Sequence, residues 1–112
     1  MSKSIVSPVK RYSGRVILSD PLTMPQVMAF EDAMREARAM NEDDGVLTSR
    51  RLYTVLSGII PCVEKWELSG IAEPVTADNF PGTPKMAVAQ LVAWLVGELT
   101  KLYNEADEVP NA

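Results

Sequence analysis

Side chains that commonly carry enzymatic chemistry are sparse in this sequence. It contains no histidine and a single cysteine, Cys62. Without histidine, the chain lacks the commonest general base and the commonest metal ligand, and neither a Ser-His-Asp nor a Cys-His arrangement can be built. Pro61 and Val63 flank Cys62, which favours a buried thiol that packs as a small apolar side chain over a reactive one.

Two short stretches invite a ligand-binding interpretation. The acidic run Glu42-Asp43-Asp44-Gly45 suggests a calcium loop, which requires a glutamate at its twelfth position. Counted from Asn41, that position holds Leu52, so a solvated loop between helices is favoured. Gly82-Thr83-Pro84-Lys85 resembles a phosphate loop, but it lacks the first glycine, and proline removes a cradling amide. We interpret it as the start of a helix.

Paired carboxylates are the remaining candidates for acid and base chemistry. Glu31 with Asp32, and Glu64 with Glu67, are adjacent or nearly adjacent, yet nothing places either pair in an apolar cleft that would raise one pKa. An enzyme or small-ligand binder would need a deep pocket with two converging acidic groups. We therefore expect no catalytic residues, no metal site and no cofactor.

Length and composition predict one folded domain over residues 1–112. The hydrophobic fraction is 46% and the charged fraction 23%, as in ordinary globular proteins. A chain of this size buries enough surface to fold without a disulfide or a metal. Residues 1–7 and 107–112 are polar or contain proline, so we expect both ends to be flexible.

Charge and hydropathy restrict the partners and the compartment. The net charge of -4 argues against binding to nucleic acid, whose phosphates require a basic patch. No run approaches the roughly 18 apolar residues of a membrane span, and the N-terminus lacks the apolar stretch of a signal peptide. A lone cysteine suits a reducing compartment. We expect a cytoplasmic protein that binds neither membranes nor nucleic acid.

The first helix is predicted over about residues 24–40. Thr23 can cap its first turn, and Gln26, three residues later, completes a capping-box pattern. Pro25 is tolerated there because its missing N–H would be unpaired anyway. One apolar face is formed at helical spacing by Val27, Phe30, Met34 and Ala37.

A second helix is predicted over about residues 49–66, where the helical period is cleanest. Its apolar face comprises Leu52, Val55, Leu56, Ile59, Val63 and Trp66. Pro61 lies within this segment and should kink or break the helix by removing a backbone donor.

A third helix is predicted over about residues 84–106, with Pro84 at its first position. Residues 8–19 are expected to be extended, and Val16-Ile17-Leu18 forms a strand-like run. Trp66-Glu67-Leu68 and Ile71 could supply a short strand that pairs with Arg15–Leu18. The expected fold is mainly α: a three-helix domain with a small N-terminal β element.

Apolar side chains away from the core faces are candidates for partner binding. Trp94 projects about 120° from the centre of the third helix's apolar face, Val96 lies at the edge of that face, and Met28 lies off the centre of the first helix's stripe. Tryptophan anchors partners, and methionine suits adaptable surfaces. Alternatively, Trp94 covers the β element or the loop at residues 67–82.

Several stretches carry a resemblance to a known family. They are Leu18–Gln26, Val63–Trp66, Asp78–Pro84 and Leu99–Ala112, the last including Leu102-Tyr103-Asn104-Glu105 and Val109-Pro110-Asn111-Ala112. In this order, over nearly the whole chain, they resemble the small tail assembly chaperones of long-tailed bacteriophages and prophages. These stretches supply caps, turns and core residues and contain no catalytic signature.

The resemblance implies a protein that acts in the host cytoplasm during virion assembly and is absent from the finished particle. Its partners would be the tape measure protein, which such chaperones coat, and the tail tube protein, which polymerises around it. A partner helix lying in a groove is the mechanism that we expect, and a homo-oligomer is compatible with this role. The alternative is a structural virion protein, such as a minor tail or connector component.

Overall fold

The structure of the protein is a computed structural model that describes residues 2–40 and 48–107. In chain order its elements are strand β1 (Ser2–Val6), a 3₁₀ turn (Lys10–Tyr12), strand β2 (Gly14–Ser19), helix α1 (Met24–Ala39), helix α2 (Ser49–Ile59), a 3₁₀ turn (Ile60–Cys62), strand β3 (Val63–Leu68) and helix α3 (Lys85–Asp107). Helices dominate, as expected. The β element, however, is a three-stranded sheet whose third strand comes from the middle of the chain.

The sheet is antiparallel with the order β1-β2-β3. Val16 on β2 lies between Ile5 on β1 and Trp66 on β3. All three side chains are buried and face the helices. The predicted pairing is confirmed for Trp66 and Glu67, but β3 begins earlier, at Val63, and Ile71 lies outside it. Gly14 begins β2 with φ of 129°, and a Cβ there would collide with the carbonyl of Glu67, so this position requires glycine.

The N-terminal residues depart from the prediction. Residues 1–7 were expected to be flexible because they are mostly polar, yet Ser2–Val6 forms β1, and this expectation was wrong for that range. Burial of Ile5 against the core and backbone pairing with β2 outweigh the polar composition. At the other end, Asp107 ends α3, and residues 108–112 lie outside the described part of the chain.

The second predicted helix is also corrected, because α2 ends at Ile59 and not near residue 66. Pro61 lies in the following 3₁₀ turn, where the helical hydrogen-bond ladder cannot continue through it. Beyond the turn, Trp66 and Leu68 are buried while Glu67 between them is exposed, which is the two-residue period of a strand. Trp66 fits both the helical period of residues 52–63 and the two-residue period of β3. The predicted helix was therefore extended too far.

The capping box predicted at the start of α1 is present and joins three elements. The hydroxyl of Thr23 accepts a hydrogen bond from the backbone N–H of Gln26, and Gln26 Oε1 accepts one from the Thr23 N–H at 2.8 Å. The Gln26 amide nitrogen donates to Ser19 Oγ on β2 and to the Pro61 carbonyl, both at 3.0 Å. One side chain therefore links the N-terminus of α1 to the sheet and to the turn after α2.

The core lies between the sheet and the helices. Its most deeply buried side chains come from the sheet, from the end of α2 and from one stripe of α3; they are Val16, Leu18, Ile59, Cys62, Leu91, Leu95 and Leu99. Helix α1 packs closely on α2 because Gly58 faces Ala33. Helix α3 begins one residue after the predicted start and packs on α2 and on the first 3₁₀ turn.

Within the described ranges, none of the helices combines the length and hydropathy that crossing a membrane would require.

Candidate functional site

An open groove lies where α1, α2 and α3 meet. Because α1 and α3 each pack on α2 and make little close backbone contact with each other, a cavity of about 470 Å³ remains between them. Its lining is mostly apolar and consists of Met34, Ala37, Arg38, Arg51, Leu52, Val55, Ala89, Val92, Ala93 and Val96. We call this surface, with its continuation described next, the interhelical groove.

The groove continues along the seam between α1 and α3. A second cavity of about 350 Å³ shares Met34 and Arg38 with the first. It is further lined by Phe30, Glu31, Arg35, Thr100, Tyr103 and Asn104. The lining positions on α3 run from 89 to 104 at spacings of mostly three or four residues, so they form one stripe roughly 22 Å long at 1.5 Å per residue.

A hydrogen bond bridges the seam at one end of the groove. The hydroxyl of Tyr103 donates to Glu31 Oε2 at 2.6 Å, and both side chains are half-buried. A short bond to a carboxylate is among the stronger hydrogen bonds in proteins. It holds the C-terminal part of α3 against α1, while the middle of the seam stays open.

Arginine side chains form the charged border of the groove. The Arg51 guanidinium donates to the carbonyls of Ala37 and Met40, both at 3.2 Å. It therefore caps the C-terminus of α1, where a cation interacts favourably with the helix dipole. Arg35 pairs with Asp32 at 3.0 Å on the exposed side of α1, and Arg38 lies exposed where the two halves of the groove meet.

The three residues predicted to bind a partner occupy three different environments. Val96 is half-buried and lines the interhelical groove. Trp94 is half-buried against the main core cluster and lies outside the groove lining. Met28 is 55% exposed on α1 and also lies outside the lining. The structure does not bring them together, and a binding role for any of the three stays a prediction.

Sequence reasoning missed most of the groove because its walls are built partly from small side chains. Ala89 and Ala93 lie four residues apart on α3, beside the leucine stripe that fills the core. Ala37 on α1 also lines the groove. Alanines next to an apolar stripe indicate either a close helix contact or an unfilled space. Which of the two applies depends on the relative positions of the helices, which the sequence does not contain.

The lone cysteine is buried, as its apolar flanks predicted. Cys62 Sγ lies 3.6 Å from the carbonyl oxygens of Gln26 and of Gly58. Burial in apolar surroundings disfavours the charged thiolate, and it raises the pKa of Cys62 from 9.0 to about 11. At neutral pH this side chain is a neutral thiol that packs beneath the turn after α2.

Acidic side chains do not assemble into a site within the described residues. Asp32 and Glu36 line a shallow cavity between α1 and α2, both exposed to water, and Asp32 is paired with Arg35. Nowhere in residues 2–40 and 48–107 do three potential metal ligands of the His, Cys, Asp or Glu type come together. The acidic run considered as a calcium loop lies outside the described residues.

No protein-family model matches this chain, and no significant match is found among curated proteins or solved structures.

Proposed function

We propose that this protein binds an amphipathic helix of a partner protein in the interhelical groove, as a tail assembly chaperone of a long-tailed phage or prophage. The single observation that carries the proposal is the groove itself. Its apolar lining on three helices, with Val92 and Val96 on α3 and Met34 on α1, provides an unfilled place for one more helix.

The shape of the groove favours a helix over a small molecule. A site for a small molecule is typically concave and buries most of its ligand, whereas this groove is open along its length. Helices pack at interaxial distances of about 8–10 Å by inserting side chains between rows spaced three and four residues apart. The stripe on α3 from Ala89 to Asn104 offers such rows over about four turns.

The identity of the partner rests on the resemblance to tail assembly chaperones. A chaperone of this kind must cover apolar, helical segments of the tape measure protein until the tail tube surrounds them, acting in the host cytoplasm. An open apolar groove on an acidic chain of net charge -4 is suited to that task, because it offers binding area while the charge maintains solubility.

Co-purification with the tape measure protein and the tail tube protein from the same genome tests the proposal. Ala93 is exposed and lines the groove, so Ala93→Glu adds a long charged side chain there without disturbing the core. We expect wild-type chain to retain the tape measure protein and Ala93→Glu to lose most of it. Gln90→Glu is the matched control: it adds the same charge on the exposed side of the same helix, outside the groove.

Equal retention by wild type and Ala93→Glu would refute the groove as the binding surface. No retention of either tail protein by the wild-type chain, together with normal tails after deletion of the gene, would refute the chaperone role. Mass spectrometry of purified particles separates the chaperone from a structural minor tail or connector protein, since we expect the chain to be missing from finished particles.

A further inference from the structure

The charged residues that line the interhelical groove are mainly basic, whereas the net charge of the whole chain is negative. Acidic residues exceed basic ones, giving a net charge of -4, yet within residues 2–40 and 48–104 Glu31 is the only acidic residue that lines the groove. The three basic lining residues are Arg35, Arg38 and Arg51. A border of arginines beside an apolar floor selects the charge of whatever lies on that floor.

The arrangement of these arginines leaves guanidinium groups accessible to a partner. Arg51 is held beside the groove by its two bonds to the end of α1, so its charge is fixed in place. The pair between Arg35 and Asp32 has side chains that are 75% and 67% exposed. Water screens such a pair, and a partner carboxylate can compete for the guanidinium.

The carboxylate of Glu31, the acidic group among the described lining residues, is already engaged. Glu31 accepts the hydrogen bond from Tyr103 at 2.6 Å, which fixes its carboxylate at the far end of the seam. Arg38 lies between the two halves of the groove and carries the charge nearest to the middle of a bound helix.

We propose that the occupant of the interhelical groove is an amphipathic helix whose apolar stripe is flanked by aspartate or glutamate. This inference rests on the proposed function and specifies the chemistry of the partner segment. The apolar stripe would cover Met34, Val92 and Val96, while flanking carboxylates reach the exposed guanidinium groups of Arg35 and Arg38. Arg51 adds a fixed positive charge beside them. Arginine suits this role because its planar group binds carboxylates in a bidentate geometry.

The test compares two synthetic helical peptides of about 18 residues, long enough to span the groove at 1.5 Å per residue. Both carry the same apolar stripe; one has glutamate at the flanking positions and the other has lysine. Fluorescence anisotropy of labelled peptides measures the dissociation constants. We expect the glutamate peptide to bind about tenfold tighter, because exposed charge pairs with the arginines form with that peptide alone.

Long-range electrostatics oppose the expected result, which makes it informative. A chain of net charge -4 attracts the lysine peptide through its overall field, so a preference for glutamate has to come from local contacts.

Charge reversal at Arg38 tests whether the preference for the glutamate peptide arises at this residue. Arg38→Glu should remove the advantage of the glutamate peptide and strengthen binding of the lysine peptide. Arg11→Glu is the matched control, because Arg11 is exposed on the first 3₁₀ turn and does not line the groove. Circular dichroism shows whether each variant remains folded, and Arg38→Gln supplies a milder change at the same position.

The possible outcomes separate this inference from the proposed function. Equal binding of the two peptides, or tighter binding of the lysine peptide, overturns the charge preference while the groove still binds a helix. Binding of neither peptide overturns both. If sedimentation velocity shows a dimer that Ala93→Glu dissociates, and neither peptide binds, the groove is occupied by a second copy of this chain and the inference is wrong.

Discussion

Cys62 shows how burial turns a reactive residue type into a structural one. Its thiol lies between backbone carbonyls of α1 and α2, and burial raises its pKa to about 11. Because the thiolate is the nucleophile, we expect the folded protein at pH 8 to react with a disulfide reagent far more slowly than the protein unfolded in guanidinium. Equal rates in the two states would contradict the buried position.

The raised pKa of Cys62 also predicts how stability changes at alkaline pH. The unfolded chain loses this proton near pH 9, whereas the folded chain keeps it to about pH 11. The contribution of the neutral thiol is therefore fully present below pH 9 and is lost as the pH rises towards 11. Urea denaturation of wild type and Cys62→Ala should show a steeper loss of stability for wild type in this range. Parallel profiles would show that Cys62 does not contribute to it.

Substitution of Trp94 distinguishes between two roles for its side chain, anchoring a partner and packing on the core. The sequence left open whether Trp94 anchors a partner or packs on its own chain, and its side chain is half-buried against the core cluster. We expect Trp94→Ala to lower the free energy of unfolding by about 1–3 kcal/mol, less than the loss at a fully buried aromatic residue. Urea denaturation measures this change. Unchanged stability together with loss of the tape measure protein would restore Trp94 as a binding residue.

At the scale of elements, two helical glycines have opposite roles. Gly58 on α2 faces Ala33 and the backbone of α1, where a Cβ would collide with the Ala33 side chain. Gly97 on α3 has open space around the position of a Cβ. We expect Gly58→Ala to destabilise the fold by about 1–3 kcal/mol through overpacking. Gly97→Ala should stabilise it by about 0.5–1 kcal/mol, since alanine is the better helix former.

Thermal unfolding followed by circular dichroism compares the two glycine variants directly. A destabilising Gly58→Ala beside a stabilising Gly97→Ala would support the close packing of α1 on α2. If both substitutions stabilise the protein, α1 and α2 are not in close contact at Gly58, and the account of their packing is contradicted.

Helices and strands can be predicted from the sequence where neighbouring residues alone determine them. Thr23 and Gln26 define the start of α1 through neighbours three residues apart, so local reasoning suffices there. Val63–Leu68 is different, because a segment that fitted a helical period pairs with β2 instead. Its strand structure depends on a partner more than 40 residues earlier in the chain, and no local pattern contains that information.

At the scale of the whole molecule, the interhelical groove results from relative helix positions. Gly58 allows α1 to lie close to α2, whereas α3 packs on α2 and on the first 3₁₀ turn and contributes its leucines to the core. Val96 was predicted from its place at the edge of a stripe, and it does line the groove. The arginine border combines residues of two helices, and their proximity arises only when the chain folds.

The central claim, that a partner helix lies in the interhelical groove, is tested most directly by mapping where the partner binds. A titration of isotope-labelled protein with the glutamate-flanked peptide, followed by amide chemical shifts in two-dimensional NMR, provides that map. We predict the largest shifts at residues 34–38 and 89–104, and small shifts at Met28 and across the sheet. Large shifts confined to the sheet, or to the exposed side of α1 around Met28, would contradict the claim.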